Sequence, residues 1–182
     1  MIDLHVHSNH SDGTLSPEAL VSLARDTGVS AFALTDHDTV SGIGKAKVAA
    51  LSDPFSPVAV ISGTEISAAY KKKDIHILGL FIDETNPALL QALDESVQAR
   101  DARNETVAKR FRELGIPVTT DDLRSANPDT IITRAHFAQY LLTHHHVASW
   151  EEAFSRYLGY DAPCFVPREY MDPERAVSLI LQ

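Results

Sequence analysis

Residues 1–13 read MIDLHVHSNHSDG, with three histidines and two aspartates among the first twelve. Met1–Val6 alternates apolar and polar residues, the period of a strand. Side chains two apart on a strand share a face, so His5 and His7 present two imidazoles side by side. The same alternation places Asp3 on that face and sends Ile2, Leu4 and Val6 the other way, into apolar packing. Asp12 follows just beyond the strand end. Imidazoles and a carboxylate at the end of a strand fit β/α folds, which gather functional residues at the carboxyl ends of parallel strands.

The residues that follow extend this rhythm. "SPEALVSLARDTG" is a helix with signals at both ends: Ser16 to cap, Pro17 at the first position, Glu18 in the first turn and Gly28 as its stop. Leu20, Leu23 and Ala24 are its expected inward stripe. Further strands are predicted at Ala31–Thr35, Val58–Thr64 and Ile75–Ile82, with a second helix over about Gly42–Leu51. The first eighty residues thus read as β/α units with a largely parallel sheet. From Asn86 the pattern turns helical: a long helix over Pro87–Leu114 ending at Gly115, then shorter ones near Asp121–Ala126, Arg134–Thr143 and Trp150–Tyr157, the last opened by a Ser149/Glu152 capping box. "CFVP", from Cys164, is expected to resume a short strand, and Asp172–Gln182 a capped helix. The helical block over 84–160 reads as an insertion between 1–83 and 161–182.

Each predicted strand end carries a ligand type. His5, His7 and Asp12 follow the first strand. Asp36, His37 and Asp38 ("TDHD") follow the second, and Glu65 ("GTEIS") the third. His76 lies in the fourth. Four strand ends therefore deliver imidazoles and carboxylates toward one region, a mixed nitrogen and oxygen set suited to zinc, manganese or iron rather than calcium. Glu65 has two oxygens and can bridge two ions. Asp36 and Asp38 also suit helix capping. His144–His146 reads as solvated surface, Lys71–Lys73 as a solvated turn, and Asp83 and Glu84 as loop charges.

Composition bounds the rest. The 182 residues are 44% hydrophobic, enough for a well-buried core, and carry nine histidines and one cysteine. Cys164 alone excludes an internal disulfide framework. No apolar run reaches membrane-spanning length and no secretion signal opens the chain, so a cytoplasmic setting is expected. A net charge of −9 argues against stable binding of duplex nucleic acid, though not against a local phosphate site.

"DLHVHSNHSDG", "TDHD", "GTEIS" and "HILGLF", in this order, resemble the polymerase and histidinol phosphatase (PHP) family, and most closely its stand-alone nucleotide phosphoesterase branch. That branch acts on nucleoside 3′,5′-bisphosphates or trims short RNA from the 5′ end. The resemblance implies an α/β fold, an irregular seven-stranded β/α barrel with two or three divalent metal ions at its strand ends. By position, His5, His7 and Glu65 would help bind one ion, Asp12 and His37 a second, and Glu65, His76 and His136 a third, with Glu65 bridging. His136, in "ITRAHFA", comes from the resemblance alone. Branch members carry further ligands in a later His-Pro and a later Asp-x-His. Neither lies in this sequence, so only the N-terminal part of the barrel is expected here.

The chemistry expected is phosphoester hydrolysis by a metal-activated hydroxide, with Glu65, Asp12 and His37 central and Arg134 and Arg168 as candidates to hold phosphate. The substrate expected is a nucleotide or short oligonucleotide. The competing readings are a histidinol-phosphatase-like enzyme, an amidohydrolase-type metal hydrolase and a non-catalytic metal-binding module. Amidohydrolase sites often bridge two metals with a strand-end lysine, where this chain offers Glu65.

Overall fold

The structure, a computed structural model, describes residues 1–52, 57–71, 73–124 and 127–182. These divide into two compact units, Met1–Val97 with Tyr170–Gln182, and Gln98–Glu169.

The first unit is built on a four-stranded sheet of order β1-β2-β3-β4, with β1 Ile2–Val6, β2 Ala31–Leu34, β3 Ala59–Tyr70 and β4 Lys73–Leu80. β1, β2 and β3 are parallel. β4 returns antiparallel to β3, in register from Gly63 opposite Leu80 to Tyr70 opposite Lys73. The sheet is therefore mixed rather than largely parallel. Both strands of this pair run longer than their apolar cores, and the short link left between Tyr70 and Lys73 permits a hairpin but not the dozen or more residues of a crossover. Glu65 consequently lies inside β3, not beyond its end.

β1 also departs from simple alternation. Asp3 pairs with Phe32 but Val6 with Leu34, so three steps of β1 oppose two of β2. This bulge puts Asp3 and Val6 together, lining an apolar hollow with Leu20, Ala24, Val29 and Phe32. Asp3 is thus not on the histidine face. Ile2 and Leu4 are exposed rather than packed.

α1 (Pro17–Thr27) is capped as its sequence requires. Ser16 Oγ accepts from Ala19 N at 3.2 Å, and Gly28 takes φ 73° where a side chain would be strained. Its buried residues are Pro17, Val21 and Ala24, while Leu23 is largely exposed, so the inward stripe is turned from the one expected. Val21, Ala24, Phe32, Leu34, Ile43, Ala46 and Val58 form a core joining α1, β2 and α2 (Ile43–Leu51). Arg25 ties the two helices by donating to the carbonyls of Ala49 and Ala50. A second cluster joins Ile66 of β3 to Leu89, Ala92 and Leu93 of α3 (Pro87–Glu113) and to Ala176 and Leu179 of α7 (Pro173–Ile180). Asp172 caps α7.

In the second unit α3 continues, followed by α4 (Thr120–Arg124), α5 (Arg134–Thr143) and α6 (Trp150–Ala153). Ser125 and Ala126, the expected end of α4, lie outside the described residues, as does Lys72. A π-helical turn over Phe154–Leu158 continues α6, so the helix expected over Trp150–Tyr157 changes its winding halfway. Ser149 Oγ caps Glu152 N, but the Glu152 carboxylate accepts from Ala148 N rather than closing a box on Ser149. Val107, Phe111, Ile132, Phe137, Leu141 and Leu158 form this unit's core around the stacked rings of Phe111 and Phe137. "CFVP" is not a strand. Phe165 N donates to Ala162 O in a tight turn, Cys164 N reaches back to Tyr157 O, and Arg110 donates to the carbonyls of Pro163 and Phe165.

Candidate metal centre

Six of the predicted ligands meet in the first unit. β1 and the loop after it bring His5, His7 and Asp12, the segment after β2 brings His37, β3 brings Glu65, and β4 brings His76. Glu65 is the hub. Its Oε2 lies 2.9 Å from His7 Nε2, 3.3 Å from His5 Nε2 and 3.4 Å from His37 Nδ1, and its Oε1 lies 2.8 Å from His76 Nδ1. Asp12 is a second hub, with Oδ1 at 2.7 Å from His7 Nδ1 and Oδ2 at 3.3 Å from His37 Nε2. His37 stands edge-on between His7 and His76, with ring centroids 4.8 and 4.9 Å away.

Local structure explains this convergence. Ser67, two residues after Glu65 on one face of β3, pairs with His76 across the hairpin, so the two ligands sit on a diagonal of the same face. Asp12 is turned back toward His7 by a tight loop in which Asn9 N bonds Leu15 O, and Ser11 N and Gly13 N bond Ser8 O. Gly13 makes the turn possible, since a Cβ there would stand 2.2 Å from His7 O.

The six side chains form three overlapping sets, His5–His7–Glu65, His7–Asp12–His37 and His37–Glu65–His76, each with its donor atoms within 4.8 Å of one another. The donors fit a metal cluster. His7 Nε2 and His37 Nδ1 are buried yet make no hydrogen bond, although both lie within 3.4 Å of Glu65 Oε2. Imidazole nitrogens crowded on a carboxylate oxygen without hydrogen-bond geometry suit shared coordination of a cation. The floor is closed and the mouth is open: the Glu65 side chain is 6% exposed, against 51% for His5 and 44% for His76.

The electrostatics agree. Burial opposes the charge on Asp12, but hydrogen bonds from His37 and His7 overcome it and hold the carboxyl well below the usual carboxylate range. Glu65 is held below its ordinary range too, against burial, by the neighbouring imidazoles of His7 and His76. Burial also works against a charged His7, yet Asp12 and Glu65 raise its pKa from 6.5 to about 9. Both carboxylates thus stay ionised and favour a proton on His7.

His10, the third histidine of the opening stretch, is not a member. It is buried and bonded to Ser41 Oγ at 2.7 Å, and it accepts from Lys45 Nζ at 3.2 Å. Asp36 and Asp38 belong to none of the three sets, nor do they cap a helix; both are buried and bonded to serines. His144 and His145 are exposed, as expected, whereas His146 is half-buried.

His136, Arg134 and Arg168 lie in the second unit. His136 Nδ1 accepts from Thr133 N at 3.0 Å, closing a capping box at the start of α5. No sequence pattern singled out that box, because histidine is not the usual partner there. The Arg134 guanidinium lies 5.9 Å from the centroid of the Tyr160 ring. Arg168 is half-buried.

Comparison with known proteins adds an independent line. The model of the family described as "PHP domain" matches residues 3–160. A 5′-3′ exoribonuclease of Haemophilus influenzae is 39% identical over 98% of this chain and 64% of its own length. A 3′,5′-nucleoside bisphosphate phosphatase of Chromobacterium violaceum is 32% identical over 99% of this chain and 62% of its own. The solved structure of a Bifidobacterium adolescentis protein described as a metal-dependent phosphoesterase superposes with a TM-score of 0.90 at 26% identity, covering 99% of this chain and 63% of that one. The chain therefore spans about three fifths of the length of these relatives.

Proposed function

This chain belongs to the PHP domain family, and from that premise we propose that it is a metal-dependent phosphoesterase acting on a nucleotide, either a nucleoside 3′,5′-bisphosphate or the 5′ end of a short oligonucleotide. The observation that carries this reading is the six-residue cluster, with two buried imidazole nitrogens turned on Glu65 without a hydrogen bond. The four-stranded sheet is then part of a seven-stranded barrel, with 1–83 and 161–182 as barrel segments and 84–160 as a helical insertion. The setting is cytoplasmic.

In this reading His5, His7, Asp12, His37, Glu65 and His76 hold two or three divalent ions, manganese, zinc or iron, with His136 as a further ligand. Such ions, when bound, lower the pKa of water and neutralise charge on phosphoryl oxygens. The chain's own residues do the rest. Glu65 and Asp12 supply the anionic charge that keeps cations together at short range. Their contacts with both ring nitrogens of His7 and His37 fix the ring planes. The more exposed His5 and His76 flank the mouth through which a phosphate reaches the floor. Arg134 and Arg168 are the groups to hold phosphate oxygens, since a planar guanidinium matches them in pairs.

The test is a matched set of assays on the intact protein loaded with manganese, zinc or iron(II), with metal content measured. Phosphate release from adenosine 3′,5′-bisphosphate and mononucleotide release from 5′-phosphorylated short RNA are followed with and without chelator. Chelator-sensitive turnover of either substrate is expected. A metal-loaded protein that turns over neither would overturn the reading.

A further inference from the structure

The segment Thr35-Asp36-His37-Asp38 bonds β1, the loop after it and β3 through different groups. Thr35 N and Oγ1 both donate to Val6 O of β1, at 2.8 and 3.2 Å. The Asp36 carboxylate accepts from Ser8 N at 2.8 Å, Ser8 Oγ at 2.6 Å and Ser11 Oγ at 2.6 Å. The Asp38 carboxylate accepts from Ser67 N at 2.8 Å and Ser67 Oγ at 2.9 Å. Between them, Glu65 N donates to Asp36 O and Asp38 N to Glu65 O, so the Glu65 peptide is gripped from both sides. Both carboxylates, and Ser8, Ser11 and Ser67, are no more than 2% exposed.

We propose that Asp36 and Asp38 are positioning residues of the metal centre, Asp36 setting the loop that carries Asp12 and Asp38 setting the stretch of β3 that carries Glu65. The proposal rests on the metal-centre reading above. Three features support it beyond ordinary loop packing. Asp36 is a buried carboxylate whose hydrogen bonds come from two hydroxyls and an amide of one short loop, a costly choice where a neutral side chain would fill the space. The loop it grips lies between the ligands His7 and Asp12. Asp38 keeps its grip at φ 53°, a conformation that disfavours most side chains and is tolerated by aspartate and asparagine. The two acids flank His37, so one tetrapeptide sets the relative placement of His7, Asp12, His37 and Glu65 without either acid touching the ion.

The test is cobalt(II) binding to the metal-free intact protein, read by its visible absorption and by calorimetry, alongside melting of the metal-free form. Ser11→Ala and Asp36→Asn should each weaken the cobalt held by His7, Asp12 and His37 by 10–100-fold, the usual effect of losing an outer partner of a metal ligand. Ser67→Ala should instead weaken the ion held by Glu65 and His76, and Asp38→Asn, which keeps an acceptor for Ser67 N, should recover part of that loss. The double variant Ser11→Ala with Asp36→Asn should be less than additive, because both loosen the hold of residue 36 on the same loop. Ser11→Ala loses a single hydroxyl and serves where Asp36→Asn fails to fold. Cobalt affinities within twofold of wild type for Ser11→Ala and Ser67→Ala would overturn the proposal and leave the metal centre standing. So would losses fully matched by destabilisation of the metal-free form, which would make these bonds structural only. Wild-type protein that takes up no cobalt would overturn the metal centre and the proposal with it.

Discussion

Glu65 is the residue on which the centre turns, since four imidazoles address its two oxygens. Glu65→Gln keeps the shape but removes the charge, so metal affinity should fall roughly a hundredfold or more and turnover by orders of magnitude. Metal titrated into the mutant should raise its melting temperature only at correspondingly higher concentrations, as scanning calorimetry would show. The same residues set a pH dependence. The folded-state pKa of His7 lies above its unfolded value, so its charge stabilises the metal-free protein fully below 6.5, and this contribution is lost as pH rises to about 9. Asp12 and Glu65 are depressed, so their contributions are present above 3.8 and 4.5 and are lost as pH falls further. Metal-free melting should therefore peak between about pH 4.5 and 6.5. Metal must displace the His7 proton, so affinity should climb up to about tenfold per pH unit between 6.5 and 9, with proton release visible as buffer-dependent heat in calorimetry. Most of this site was legible in the sequence because imidazoles and carboxylates at successive strand ends leave few other roles. Asp36 and Asp38 were legible only as ambiguous acids, because serines three-dimensionally adjacent to them carry no distinctive spacing.

At the scale of elements, the tight loop after β1 has the least freedom. Gly13→Ala forces a methyl against the His7 carbonyl and should cost about 1–3 kcal/mol while also displacing Asp12 and weakening metal uptake. Gly44→Ala, in α2 with open space around it, should stabilise by up to about 1 kcal/mol. Denaturant titration of both variants, each with a metal titration, separates steric exclusion from general tolerance of alanine. The helices were readable from their caps, because Ser16, Gly28 and Asp172 satisfy end groups that any helix must satisfy. The strands were less so. A bulge inside β1 carries no sequence mark, yet it reassigns Asp3 to the apolar side and leaves Ile2 and Leu4 exposed. Nor does an apolar run state the direction of its partner, so the turn back at β4 was missed.

At the scale of the whole molecule, the chain builds separate cores for its two units, and the second has a natural reporter. Trp150 is the single tryptophan and lies in the second unit. Phe111 is fully buried there against Phe137 and Tyr157, so Phe111→Ala should lower the stability read by Trp150 fluorescence in denaturant by about 3–5 kcal/mol. The family was reached from motif order, a kind of information that periodicity alone does not hold. The β3–β4 hairpin has one further consequence, and it concerns time. Its strands are neighbours along the chain, whereas β1 finds β2, and β2 finds β3, across nearly thirty residues. Closing a hairpin takes microseconds, and parallel pairing across long loops is slower. Glu65 and His76 should therefore be assembled while His5, His7 and His37 are still arriving. In pulse-labelled hydrogen exchange, amides of β3 and β4 should gain protection before those of β1; simultaneous protection would show that the nascent ligands wait for one another.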